Sequence, residues 1–354
     1  MKSISLLSAG WQSRVCKCSG GDGAQPPRLM RWLTSIIAKI MCVCVMAAAL
    51  PAIAQTYPAK PIRLIVPFPP GGGTDIVARA IAPRFPEVAG VQLVIDNRPG
   101  GGTVIGAELA ARSAPDGYTI FMGTNTSHAI NPNLYPKLAY DPIRDFAPIT
   151  RIASVPFMLV VHPSLPVRTV KDLVALAKAR PDQLNFASSG NGTPGHLAGV
   201  MLNEAAHINM AHVPYKGSGP ALTATVSGET QLIFASLTSA LPFVKSGRLR
   251  VLAMSSAKRS PLLPDMVTIA ESGYPDFEAI TWYGLFAPAA TPAPIVARLN
   301  ADFVKILSSN DFKAWLADQG ADAAPGTPDE FRAFVKAEIA RYAPLIRKSG
   351  MRPD

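Results

Sequence analysis

The sequence predicts an α/β protein whose sheets are mainly parallel and covered by helices on both faces. Three observations carry that prediction. Short apolar runs alternate with amphipathic stretches along most of the chain. Segments rich in glycine and hydroxyl residues follow several of those runs, where strands would hand over to helices. The 300 residues beyond an N-terminal leader suffice for two domains.

Residues 63–68 (RLIVPF) read as a first strand, followed by a glycine-rich loop and a helix over 76–82. Residues 91–96 form a second strand, 104–112 a helix and 118–122 a third strand. Thr169 opens a helix in which Val170, Leu173, Val174 and Ala177 fall on one face at helical spacing. Further strands are expected over 184–187, 210–213, 231–235 and 249–254, and helices over 294–307 and 328–346. No internal repeat of fixed period interrupts this order.

The leader is read from residues 40–50 (IMCVCVMAAAL), an apolar run that follows Arg28, Arg31 and Lys39 and leads into Ala52-Ile53-Ala54. The run is too short to span a bilayer, which takes about 20 residues. Basic flank, short apolar stretch and small-residue exit are the pattern of a secretory signal cleaved after Ala54, with Met30 as an alternative start. Cys16, Cys18, Cys42 and Cys44 all precede that point, so the mature chain would hold no disulfide, thiol nucleophile or cysteine-bound zinc. Neither Cys42 nor Cys44 stands in a lipid-attachment context.

Composition sets further bounds. Hydrophobic residues make up 48% and charged residues 16%, which places the chain among globular proteins. Six basic residues and one acid leave with the leader, so the net charge falls from +10 to +5. No basic block is present, which argues against nucleic acid and fits attraction of small anions.

In open parallel sheets, ligands bind in the loops beyond the carboxyl ends of the strands. Four such loops share one chemistry. The first holds Phe68, Pro70, Gly71, Gly72 and Thr74, with Thr74 or Asp75 at the helix start; the second holds Thr126, Ser127 and His128. The third holds Ser188, Ser189 and Asn191, and the fourth holds Tyr215. Neutral hydroxyls, amides and backbone N–H groups dominate, an inventory suited to a small carboxylate held by dipoles.

Enzyme motifs fail on specifics. Thr74-Asp75 stand where a phosphate-binding loop needs Lys-Ser/Thr, and Ile105 occupies the third glycine of a dinucleotide fingerprint. No Gly-x-Ser-x-Gly elbow occurs, and Ser255-Ser256-Ala257-Lys258 matches Ser-x-x-Lys without its companion motifs. The histidines lack His-Glu-x-x-His spacing, and His207 and His212 are read as solvent-facing. Nothing in the sequence asks for a metal or a cofactor.

Several segments together carry a resemblance. The run from Tyr57 to Phe68 into the glycine loop, Asn97-Arg98-Pro99-Gly100, Ala114-Pro115-Asp116-Gly117-Tyr118, His128-Ala129-Ile130-Asn131-Pro132, Ser189-Gly190-Asn191-Gly192-Thr193, His212-Val213-Pro214-Tyr215-Lys216-Gly217 and Ser256-Ala257-Lys258-Arg259-Ser260 occur in order along the mature chain. In these the chain resembles the substrate-binding proteins of tripartite tricarboxylate transporters, the TctC or Bug family.

The resemblance implies a two-lobed periplasmic-binding-protein (Venus-flytrap) fold. Residues 55–156 and 280–354 would form one lobe and 157–279 the other, with crossovers near 154–157 and 279–283. It implies a carboxylate gripped between the 71–74 and 188–191 loops, with Thr126, Ser127, His128 and Tyr215 at pocket positions. One departure concerns the end of the 231–235 strand. Ala235-Ser236 stand where the family commonly has Asp-Asn, which disfavours an amino-acid ligand and brings Ser236 to the site. The expectation is a monomeric periplasmic receptor delivering a small organic acid to integral-membrane permease subunits or a sensor. A secreted α/β hydrolase or transferase acting on an acidic substrate, and a structural envelope protein, are the alternatives.

Overall fold

The computed structural model describes residues 57–353; the leader and its four cysteines lie outside the described residues. In chain order the elements are β1 (Ile62–Val66), α1 (Gly73–Ile81), α2 (Phe85–Ala89), β2 (Leu93–Asn97), α3 (Val104–Ala111), β3 (Thr119–Thr124), α4 (Asn131–Leu134) and β4 (Phe146–Val161). There follow α5 (Val170–Ala179), β5 (Asn185–Ser188), α6 (Pro194–Ala206), β6 (Ala211–Pro214), α7 (Ser218–Val226), β7 (Leu232–Ser236), α8 (Leu237–Lys245) and β8 (Arg250–Met254). The chain ends with β9 (Ile280–Pro288), α9 (Ala293–Leu307), α10 (Asn310–Asp318), β10 (Asp322–Ala323) and α11 (Pro328–Ser349).

The fold is two-lobed and mixed α/β. Strands run in the order β2-β1-β3-β9-β4-β7-β5-β6, with β8 and β10 also pairing to β4. Pairing is parallel on the flanks, where β1 meets β2 and β3, and β5 meets β6 and β7. In the middle it is antiparallel. β4 is 16 residues long; Phe146 to Pro156 pair with β9, while Phe157 to Val161 pair with β7. One strand therefore belongs to two sheets. Both long central strands are buried on both faces, so they lack the alternation that marks a half-exposed strand, and Pro148 and Pro156 break the apolar run.

Local sequence explains three helix starts remote from the cleft. Thr169 and Thr327 form capping boxes with Asp172 and Glu330, and Ser309 caps α10. The stripe Val170, Leu173, Val174 and Ala177 is buried, as its spacing requires. Where β4 passes from β9 to β7, the Ser255 hydroxyl accepts from Phe157 N–H at 2.9 Å and also contacts the Ala279 carbonyl. Ser255 thus ties the crossing strands together, which is what the isolated Ser-x-x-Lys match amounts to structurally.

Candidate functional site

Loops at the carboxyl ends of β1, β3, β5 and β7 meet in a cleft with two compartments. The constricted one, about 30 Å³, is lined by Phe68, Gly72 to Thr74, Thr124, Thr126, Phe157, Ser189, Pro194, Ser218, Ser236, Thr281 and Tyr283. The wider one, about 470 Å³, shares Phe68 and Ser189 and adds Pro99, the glycines 100–102, Thr103, Thr193, Tyr215 and Lys216.

Four helices begin at the constricted compartment: α1 at Gly73, α6 at Pro194, α7 at Ser218 and α8 just after Ser236. None of the four has a side-chain cap; α2, α3, α4 and α9 lack one too, whereas α5, α10 and α11 have one. First-turn N–H groups have no intrahelical acceptor, so uncapped starts present free donors and the positive ends of four helix dipoles. Thr124 Oγ1 and Thr126 Oγ1 add two buried hydroxyls with no hydrogen-bond partner among the described residues. No acidic or basic side chain lines this compartment. Tyr283 is the sole ionisable group there, and burial raises its pKa well above the ordinary phenol value, so it stays a neutral hydroxyl. The surroundings favour a negative charge without supplying a full positive one.

The first loop is braced from behind. Asp75 accepts from the Gly71 N–H at 2.9 Å, from Arg79 at 2.8 Å and from Asn97 at 3.0 Å, while Asn97 also donates to the Phe68 carbonyl. Burial alone would raise the Asp75 pKa; the bonds from Arg79, Gly71 and Asn97 outweigh it and hold the carboxyl below its usual range. Asp75 therefore stays charged and neutralised outside the compartment.

Six of the expected residues meet at the constricted compartment: Phe68, Gly72, Thr74, Thr126, Ser189 and Ser236. Tyr215 lies on the wider one, its hydroxyl donating to Glu229 at 2.8 Å. The structure does not bring the rest to either compartment. Pro70 and Gly71 sit on the exposed shoulder of the loop. The Asn191 carbonyl packs against Gly102. Ser188 is fully buried and turned toward His212, 2.6 Å away.

Ser127 and His128 are fully buried too. Ser127 Oγ bonds Thr124 N and His128 Nδ1, and the His128 ring stacks 3.8 Å from that of Phe286. Burial holds the His128 pKa at about 3. The physical reason is Gly123: a Cβ there would lie 2.5 Å from Phe286 and 2.9 Å from His128, so the glycine admits the ring pair to the core. His207 is exposed, as expected. His212 departs from its expectation in being half-buried, with its ring stacked on His196 at 3.6 Å and 7°. Ala235 also turns inward, 3% exposed within the main apolar cluster.

The four loops contain Gly73, Thr124 and Ser218, which nothing in the sequence sets apart from their neighbours; Phe157, Pro194, Thr281 and Tyr283 lie outside the residues to which the sequence points. Thr281 and Tyr283 enter from β9, a strand with no alternation to reveal which residues face the cleft.

A fold of this kind, with four helix N-termini meeting at one cleft, is that of a solute-binding receptor. The tripartite tricarboxylate transporter family receptor matches residues 77–351, and the chain belongs to that family. It is similar to Protein BugT of Bordetella pertussis, with 37% identity over 322 residues, 90% of this chain and 98% of that protein. Two solved structures from Rhodopseudomonas palustris are also similar. Rpa4515 with adipate shares 38% identity with a TM-score of 0.82, covering 84% of this chain and 100% of that one. MatC with bound malate shares 33% identity with a TM-score of 0.78, covering 82% and 100%. Among the described residues, no helix is long and apolar enough to cross a membrane.

Proposed function

We propose that the receptor captures a small organic acid by placing one carboxylate in the constricted compartment and the body of the acid in the wider one. The observation that carries this reading is the convergence of four uncapped helix starts and two unpartnered threonine hydroxyls on a space without charged side chains. Hydrogen bonds to a charged group contribute roughly 1.5–3 kcal/mol each, so three or four account for micromolar binding, about −8 kcal/mol. Adipate and malate in the related structures support an acid as the ligand class. Lys216, at the wider compartment, suits a second acidic group.

Residues 55–156 with 280–354, and 157–279, serve as the two lobes that close over the acid. The exchange of partners along β4, from Ile280 opposite Pro156 to Ser236 opposite Phe157, supports these boundaries. The loaded receptor works outside the cytoplasm as a single chain after cleavage at Ala54, and delivers its acid to membrane permease subunits or a sensor. It performs no chemistry on the acid. Ser188 and Ser127 each contact a histidine, yet both serines are fully buried and neither histidine lines the cleft.

Titration of the purified protein with acids and monitoring of the same acids over hours tests this. Saturable binding with the acid unchanged is expected; turnover would establish an enzyme instead. N-terminal sequencing of protein exported by its host should begin at Gln55, and retention of Cys42 or lipid would contradict the processing.

A further inference from the structure

The loop joining β5 to α6 brings Ser189 to both compartments and delivers the start of α6 to the cleft. Its backbone is unusual, with Gly190 at φ +132° and Gly192 at φ +68°. Such a path has to be held by contacts, and two of the contacts come from imidazoles beneath it. His196 Nδ1, on α6, faces the Gly192 N–H at 3.3 Å. His212 Nε2, on β6, lies 2.6 Å from Ser188 Oγ, which also meets the Gly190 carbonyl at 3.0 Å and the Gly190 N–H at 3.1 Å. The two rings stack on each other, and Phe186 packs 5.0 Å from His212.

Proton accounting fixes the state of His196 and the Nε2 proton of His212. His196 accepts from an amide at Nδ1, so its proton is on Nε2. Ser188 has one hydroxyl proton and three polar neighbours, one of them the Gly190 N–H donor. All three contacts are satisfied together only if the hydroxyl donates to the Gly190 carbonyl and His212 donates from Nε2. His196 is then neutral, and His212 carries a proton on Nε2; its stacking on His196 and packing against Phe186 favour the neutral ring over the imidazolium. Burial depresses both pKa values, to about 3 for His196, with His212 adding to the effect, and about 4 for His212.

We propose that His196 and His212 are positioning residues for ligand capture: a stacked, neutral pair that sets the 188–192 loop so that Ser189 and the start of α6 face the acid before it arrives. The proposal rests on the reading that this cleft binds an organic acid. Loop order established in advance spares the ordering cost that binding would otherwise carry.

The test compares His212→Phe, which keeps an aromatic ring in the stack but loses the donor, with His212→Gln, which restores an N–H donor. The probes are adipate and malate, read by titration calorimetry beside the ligand-free melting temperature. His212→Phe should weaken binding at least tenfold, and His212→Gln should bind within about threefold of the unsubstituted protein, with the two variants melting alike without ligand. Equal affinities for His212→Phe and the unsubstituted protein, or a glutamine variant as weak as the phenylalanine one, would overturn the positioning role alone. Failure of the unsubstituted protein to bind either acid or any other carboxylate would remove the functional reading and this proposal together. If His212→Phe does not fold, side-chain ¹⁵N spectra of the unsubstituted protein decide. Both rings should carry the proton on Nε2 at pH 7; an Nδ1 proton on His212, or titration near its ordinary value, overturns the proposal.

Discussion

Gly73 and Tyr283 approach so closely that a Cβ built on the glycine would lie 2.7 Å from the tyrosine hydroxyl; Ser236 Oγ would be 2.8 Å from it. The neighbouring Gly72 differs. Its Cβ would meet nothing nearer than 3.7 Å, at Ser218, and its backbone is ordinary extended chain at φ −83°. One of the two glycines is thus sterically required.

Gly73→Ala should therefore cost the overpacking penalty of about 1–3 kcal/mol and weaken acid binding at least tenfold, despite alanine's better helix propensity. Gly72→Ala should bind nearly normally. Adding Tyr283→Phe to Gly73→Ala removes the closest clashing atom and should recover part of the lost melting temperature. Calorimetry and thermal melts on the four proteins check this; a Gly73→Ala variant that binds normally contradicts the geometry.

Thr126 separates binding from stability. Its buried hydroxyl has no partner among the described residues, so Thr126→Val removes a desolvated polar group while keeping the shape. Ligand-free stability should hold or rise by about 1 kcal/mol, while affinity for the acid should fall by roughly tenfold or more if the hydroxyl bonds the carboxylate. A fall in stability with unchanged affinity would assign Thr126 to the scaffold instead.

Positions 235 and 236 should respond in opposite ways to an introduced acid. Ala235 is packed in the core opposite Met158, so Ala235→Asp buries a lone carboxylate and should leave little folded protein. Ser236 sits at the N-cap of α8 and lines the constricted compartment, and aspartate is a favoured N-cap residue. Ser236→Asp should fold and lose its ligand-induced thermal shift, because its carboxylate occupies the place of the ligand's. Retained binding would take the acid elsewhere in the cleft.

Acid should destabilise the protein well before its carboxylates titrate. His128 and His196 are held at about 3 and His212 at about 4, against roughly 6.5 in the unfolded chain. Between those values the unfolded state binds more protons, so stability is complete above about pH 6.5 and falls as pH drops toward 4. His128 and His196 each contribute up to about 1.4 kcal/mol per pH unit within that window, and the partly exposed His212 less. Melting temperatures across pH 7 to 4.5 should decline steeply, with a shallower slope in His128→Phe, where a phenyl ring can join the Phe286 stack. A flat profile from pH 7 to 5 would contradict the buried neutral rings.

Much of the frame was legible because local signals agreed. The buried stripe of α5, the Thr169 cap and the first three strands follow directly from periodicity and capping chemistry. The β4 and β9 strands were not legible, since burial on both faces erases alternation, and with them went Thr281 and Tyr283. In the second loop, sequence order could not tell which of Thr126, Ser127 and His128 would face outward. Three consecutive polar residues look alike until Gly123 opens space for the His128 ring in the aromatic core, leaving Thr126 at the cleft. The same applies to His212, whose half-buried stacking depends on His196, a residue 16 positions away on another element.

The central claim is that dipoles and hydroxyls, without a cation, hold one carboxylate of a small acid. Titration calorimetry of the purified protein against adipate, malate and the diamide of whichever acid binds tests it most directly. The account predicts micromolar or tighter binding of an acid and loss of at least a hundredfold on conversion to the uncharged diamide. Equal affinity for acid and diamide, or an acid affinity untouched by Ser236→Asp, would contradict it.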